Sequence, residues 1–173
     1  MKLAVWFMVV AGAGCEALFG DDMGTTLPYT PVAALDKAEV AAAREFCVDE
    51  VNRYRATRGL PAIVRSSQLE DFADEGAAID AYAEMPHTHF STAPFPQPAQ
   101  SNGENEIRNW DLHKYLTLRT VIERGFAKMW AEEGTREDGH FQNMINDFDE
   151  AGCGFYLDVP TQNVTIVQDF RKR

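Results

Sequence analysis

The chain has 173 residues, of which 45% are hydrophobic and 25% charged, a composition typical of a globular domain rather than a disordered, collagen-like or disulfide-dense chain. The formal net charge is −11, and because an acidic surface repels nucleic-acid phosphates, we expect no nucleic acid among the partners. The length predicts a single domain with its own hydrophobic core.

The first fourteen residues have the organisation of a secretory signal peptide. One basic residue, Lys2, precedes an apolar run over 3–10. This run is too short to cross a bilayer, since a membrane-spanning helix needs about 20 residues. Small residues directly before Cys15 resemble a bacterial lipobox, although Gly12 stands where that pattern usually has a larger apolar residue. We expect cleavage of a signal peptide over 1–14 and lipidation of Cys15; ordinary signal cleavage nearby and a buried N-terminal helix are the alternatives.

A tether is predicted over 15–35, where glycine, aspartate and proline recur without a periodic apolar pattern. It would lift a domain over 36–173 off the bacterial envelope membrane, which the chain would contact only through its lipid anchor. Ordinary signal cleavage would instead give a secreted protein. Both outcomes place the domain outside the cytoplasm.

Two helices are predicted in the first half of the domain. The first covers about 36–58, with Asp36 as its N-cap, and ends at the glycine and proline that follow. The second begins at Ser67, which has capping-box spacing to Glu70, and ends before Pro86.

The second half of the domain changes from helices to strands. The predicted elements are an irregular Pro-rich surface loop over 86–110, a helix opened by Thr120 and Glu123, a short helical segment over 139–146, and two strands over 152–157 and 164–167 joined by a hairpin loop. Helices that precede a short run of strands indicate an α+β fold, with a short antiparallel sheet covered by helices.

Three cysteines are present: Cys15, Cys47 and Cys153. If Cys15 is lipidated, the other two remain, and two cysteines in an oxidising compartment can pair. A disulfide between Cys47 and Cys153 is therefore a candidate, and two buried free thiols are the alternative. The sequence has no C-x-x-C motif, so these residues do not have metal-ligand spacing.

Motifs of the common enzyme classes are missing from the sequence. It has no H-E-x-x-H of a zinc protease, no G-x-S-x-G of an α/β-hydrolase and no glycine-rich phosphate-binding loop. Four histidines occur, at His87, His89, His113 and His140, with carboxylates near three of them in sequence. We expect His113 to be a surface residue. Spacing alone assigns no chemistry to the others.

Several individually weak motifs occur in an informative order. They are Asn52-x-Tyr54-Arg55, Gly59-Leu60-Pro61, an alanine-rich helix with Ala73 and Ala77, His87 or His89, Gly103-Glu104-Asn105, Trp130-x-x-Glu133, Gly139-His140-Phe141, Gly152-Cys153-Gly154 and a final strand near 164–170. Over about 38–170 this order resembles the CAP superfamily (SCP domain), which includes cysteine-rich secretory proteins, antigen 5 and plant pathogenesis-related proteins. The resemblance implies an α-β-α sandwich with a short central antiparallel sheet flanked by helices.

The resemblance also implies a shallow cleft with two histidines and two acidic residues, which binds a divalent metal in some members. Motif by motif, the acidic residues are Glu104 and Glu133, and one histidine is His140; Glu132 is expected to be solvated. The other histidine is His89, judged by its distance from the alanine-rich helix, or His87, judged by the threonine that follows it; we favour His89. Neutral imidazoles suit Zn²⁺ or another divalent cation, and carboxylates either ligate the metal or orient a histidine.

The chain departs from the family pattern at three places. Glu106 stands where an apolar residue usually follows Gly-Glu-Asn, and Phe141 replaces a common tyrosine. The final strand lacks the frequent cysteine, so a pair between Cys47 and Cys153 would be particular to this chain. These departures bear on the ligand more than on the fold.

From the resemblance we expect an exported binding module whose cleft holds a divalent metal, a lipid or sterol, or a protein ligand. An enzyme is the first alternative. It would be a metal-assisted hydrolase in which Glu104 or Glu133 acts as general base on a metal-bound water, with His89 and His140 as ligands. The second alternative is a structural envelope protein without a ligand.

Overall fold

The computed structural model describes residues 32–94 and 99–173. These residues form helices α1 Lys37–Ala56, α2 Ser67–Asp80, α3 Thr88–Thr92, α4 Leu112–Tyr115, α5 Leu118–Trp130 and α6 Gly139–Ile145, and strands β1 Val64–Arg65, β2 Gly103–Asp111, β3 Glu150–Asp158 and β4 Asn163–Arg171. The predicted signal peptide, Cys15 and the predicted tether up to residue 31 lie outside the described residues.

The strands form one sheet in the order β1-β3-β4-β2. β3 and β4 form the predicted hairpin, and β2 runs antiparallel to β4 on its other side. The two-residue β1 pairs parallel to β3. The sheet is therefore mixed, whereas the sequence predicted a purely antiparallel sheet. Two residues are too few to leave a periodic pattern in the sequence. The α+β class is confirmed.

Two layers of helices cover the two faces of the sheet. Alternate residues of β3, Ala151, Cys153 and Phe155, join a core that includes side chains of α1, α5 and α6. The residues between them, Gly152 and Gly154, lie against α2, where a Cβ on Gly154 would overlap the backbone of α2. This alternation follows from the two-residue period of a strand and builds the α-β-α sandwich.

The predicted helices exist, but two of the predicted N-caps are wrong. Asp36 caps α1 as predicted, since its carboxylate accepts the N–H groups of Ala38 and Glu39. The N-cap of α2 is Ser66 rather than Ser67, and Glu70 pairs with Arg44 and Arg65 instead of closing a capping box. The N-cap of α5 is Thr117, whose hydroxyl accepts the N–H of Thr120.

The prediction of an irregular loop over 86–110 is wrong in part. The segment contains α3 and most of β2, which pairs with β4 from Gly103 opposite Phe170 to Asp111 opposite Asn163. Its prolines lie before the strand. Because Glu104, Asn105 and Glu106 are polar, the sequence pattern does not indicate a strand here, although pairing with β4 buries these residues.

A disulfide joins Cys47 on α1 to Cys153 on β3, with 6.5 Å between their Cα atoms. Both residues are fully buried. The bond fastens one helical layer to the middle of the sheet. Among the helices of the described residues, none has the length and apolar character needed to cross a membrane.

Candidate functional site

The first histidine–carboxylate pair joins the start of α3 to β2. His87 is the residue before α3, and its Nδ1 lies 2.7 Å from Oε1 of Glu104 on β2. The Glu104 side chain is almost fully buried, whereas about a third of the His87 side chain is exposed. The carboxylate therefore sits beneath the imidazole and orients it.

The second pair joins the turn after α5 to the start of α6. Nδ1 of His140 lies 2.8 Å from Oε1 of Glu132. The ring of His140 is also about one third exposed, and its centroid is 6.1 Å from that of His87. We call these four residues, His87, Glu104, Glu132 and His140, the paired-histidine site.

Two asparagines connect the strand and the helix that carry these pairs. Asn143 of α6 donates to the backbone oxygen of Glu104, at 2.9 Å, and to Oδ1 of Asn105, at 3.0 Å. Asn105 in turn donates to the backbone oxygen of His140 at 3.4 Å. Side-chain amides thus fix β2 against α6, and with them the separation of the two histidines.

Of the predicted site residues, the structure brings His87, Glu104 and His140 together, but not Glu133. Glu133 is about half exposed and forms an ion pair with Arg58. The last turn of α5 ends at Trp130, and in the turns that follow it is Glu132 that reaches His140. Trp-x-x-Glu spacing cannot distinguish two adjacent glutamates at a helix end, and the expectation of a solvated Glu132 does not hold.

His89, the histidine that the spacing favoured, is buried away from His140. Its ring packs on Phe72, with 4.4 Å between centroids, and its backbone N–H donates to Asp80. The turn before α3 places the ring of His87 beside that of His140, whereas two residues later the side chain of His89 is buried against Phe72. The following threonine was the better indicator of the site histidine.

Four carboxylates at or near the site are buried: Asp80, Glu104, Glu106 and Asp169. Burial raises the pKa of Glu104 although its bond to His87 opposes that shift, and burial also raises the pKa of Glu106. The pKa of Asp169 is raised well above its ordinary value by burial and by the nearby charge of Glu104. The hydrogen bond to Glu104 raises the pKa of His87, against the effect of burial.

The two imidazoles are the side chains of this site that could ligate a divalent metal. Each Nδ1 faces a carboxylate, which leaves Nε2 for a metal, as is usual where a carboxylate orients a ligating histidine. Within residues 32–94 and 99–173, no group of three or more His, Cys, Asp or Glu side chains is arranged to hold a metal ion.

A family model described as CAP, the cysteine-rich secretory protein family, matches residues 48–170. The chain belongs to this family. The resemblance drawn from its motifs is thereby confirmed, and it covers the strands β2 to β4, Cys153 and the whole paired-histidine site. A comparison with curated proteins gave no match.

Solved structures with the same fold include several bacterial proteins. An outer surface protein from Borrelia burgdorferi is 19% identical, with a TM-score of 0.56 over 81% of this chain and 98% of its own. The CAP domain of enterococcal PrgA is 16% identical, with a TM-score of 0.62 over 83% of this chain and 65% of its own. An extracellular SCP-domain protein from Bacillus anthracis is 17% identical, with a TM-score of 0.50 over 76% of this chain and 41% of its own. At such low sequence identities, the similarity to these structures shows a shared fold and nothing beyond it.

Proposed function

We propose that this CAP-family domain is an extracytoplasmic binding module that holds a divalent metal, such as Zn²⁺, between His87 and His140. The observation that carries the proposal is the pair of histidines, each held at Nδ1 by a carboxylate, with 6.1 Å between their ring centroids. Nε2 of each imidazole would ligate the metal, while Glu104 and Glu132 would orient the rings and increase their basicity.

The remaining coordination positions would serve the ligand of the module. When bound, the metal would act as a Lewis acid that accepts an oxygen or nitrogen group of a lipid, a sterol or a protein. Both rings are partly exposed, so such a group can reach the site from outside. The carboxylates of Glu104 and Glu132, which contact the two rings, would add attraction for a cation.

Zinc titration of the purified protein tests this proposal, with chelator competition to measure affinity. We expect one Zn²⁺ per chain in the parent protein and its loss in the His140→Ala variant. His113→Ala is the matched control, because His113 also contacts a carboxylate, that of Asp111, but on an exposed surface elsewhere. Absence of zinc binding in the folded parent, or equal binding in both variants, would contradict the proposal.

The extracytoplasmic location is part of the same proposal. It is supported by the signal-like residues before Cys15, by the buried disulfide and by similarity to proteins named as outer surface or extracellular. With a lipid on Cys15, the full-length protein should sediment with membranes and the Cys15→Ser variant should not. Equal distribution of the two proteins between the membrane and soluble fractions would contradict the lipid anchor and leave secretion without one.

A further inference from the structure

The backbone of His87 has a left-handed conformation, with φ 58° and ψ 24°. Residues with a Cβ adopt this region infrequently, and a residue held there needs support from its surroundings. The conformation matters for the site because it sets the direction in which the imidazole leaves the chain, just before α3 begins. What holds this backbone therefore also holds one metal ligand of the proposed function.

Two glutamates of β2 bind His87 from the same side. Residues 104 and 106 are two apart on one strand, so their side chains share a face of the sheet. Glu104 contacts the imidazole, while Oε2 of Glu106 accepts the backbone N–H of His87 at 3.0 Å. Glu106 is only 9% exposed, so water does not readily replace this bond.

The turn before His87 is attached to β2 by further side chains. Asn109 donates to the backbone oxygen of Ala81 at 3.0 Å, and Arg108 donates to that of Ala83. Glu106 continues this series to the residue where the turn meets α3. The contacts come from side chains rather than from a ladder between strands, so single substitutions can remove them one at a time.

We propose that Glu106 is a positioning residue of the paired-histidine site. Its carboxylate holds the His87 N–H and so keeps the imidazole against Glu104 and close to His140. The inference rests on the proposed function for its metal readout, but the position of the ring can be measured without metal. Glu106 is also the residue that departs from the apolar residue expected there from the family resemblance, and an apolar side chain could not accept the N–H of His87.

The test compares the parent protein with Glu106→Gln, which keeps an acceptor oxygen without charge, and Glu106→Leu, which has none. Glu84→Leu is the control for charge, because Glu84 is exposed in the same turn. The readouts are the zinc dissociation constant, the thermal midpoint, and the NMR signal of the His87 Nδ1 proton in metal-free protein. Glu106→Met, with its adaptable side chain, is the second apolar variant if the leucine variant does not fold.

We expect Glu106→Leu to weaken zinc binding by about 10-fold to 100-fold, the usual effect of losing a residue that orients a ligand. Glu106→Leu should also lose the NMR signal of the hydrogen-bonded His87 Nδ1 proton. Glu106→Gln and Glu84→Leu should keep both the zinc affinity and this signal. An apolar variant that retains the parent affinity and proton signal would overturn the inference. So would a glutamine variant as impaired as the leucine variant, since charge rather than the bond would then matter. If the parent binds no zinc, the proposed function fails, and the proton signal still decides the role of Glu106.

Discussion

Glu132 and Glu133 are neighbours in sequence but lie in different environments. Glu132 is mostly buried and contacts His140, whereas Glu133 pairs with Arg58 near the surface. Exposed ion pairs contribute little to stability, so substitution of Glu133 should change the free energy of unfolding little. A carboxylate that orients an imidazole affects what the imidazole can bind.

From this difference we predict opposite results for two matched variants. Glu132→Ala should weaken zinc binding by about 10-fold to 100-fold because His140 loses the group that fixes its ring. Glu133→Ala should bind zinc like the parent. Chelator competition measures both, and circular dichroism checks that both are folded. A larger loss in Glu133→Ala would return the motif-based assignment of Trp-x-x-Glu to the site.

Asp169 is expected to make the stability of the fold depend on pH. It is fully buried on β4, accepts a hydrogen bond from Ser101, and its pKa is raised mainly by burial. Its folded pKa therefore lies above the value of about 3.9 in an unfolded chain. A raised pKa stabilises the fold fully below the unfolded value, and this stabilisation is lost as the pH rises toward the folded value.

Asp169→Asn should thus become progressively more stable relative to the parent as the pH increases from about 4. The asparagine can still accept from Ser101 and carries no charge to bury. Thermal unfolding of both proteins between about pH 4 and about pH 8 gives the comparison. A stability difference that does not change with pH would show that Asp169 is not the group whose ionisation opposes folding.

At the scale of elements, the contact between α2 and the sheet depends on glycine. A Cβ at Gly152 would come within 2.6 Å of the backbone nitrogen of Glu70, and one at Gly154 would overlap the backbone of Ala73 and Asp74. Backbone atoms cannot move aside as a flexible side chain can. The Gly-Cys-Gly motif therefore combines a close helix–sheet approach with a cysteine on the opposite face.

Gly154→Ala should destabilise the protein by at least about 1–3 kcal/mol, the usual cost of overpacking. Gly139→Ala is the matched control, since apart from its chain neighbours and its own helix backbone no heavy atom lies within 4 Å of the position that a Cβ would take there, and it begins α6. The control should stay within about 1 kcal/mol of the parent. Urea unfolding measures both. Similar stability of the two variants would mean that α2 shifts away from the sheet at little cost.

The elements that sequence predicted well are those with a strong period. Helix α1 and the β3–β4 hairpin have long apolar patterns, and the structure confirms both. Strand β2 was missed because Glu104, Asn105 and Glu106 occupy buried positions where apolar residues are expected. Sequence rules fail most where residues serve a site rather than a core. The choice between His87 and His89 failed similarly, since it depended on a left-handed backbone that spacing does not reveal.

At the scale of the whole molecule, one covalent bond joins distant parts of the chain. Cys47 and Cys153 are separated by 106 residues, and the loop between them contains α2, β2, α5 and α6. Closing so long a loop removes many conformations from the unfolded chain, which favours the folded state. Both sides of the paired-histidine site lie within that loop, so the disulfide limits how far the unfolded ensemble can separate them.

The Cys47→Ala/Cys153→Ala variant should therefore be less stable than the parent by about 2–5 kcal/mol. Denaturant unfolding with and without a reductant measures the effect. Reductant should lower the stability of the parent and leave the variant unchanged, which separates loss of the bond from loss of two buried side chains. Because Cys47 and Cys153 are both fully buried, the folded parent should resist reduction until it opens. Equal sensitivity of parent and variant to reductant would mean that the bond does not form in the purified protein.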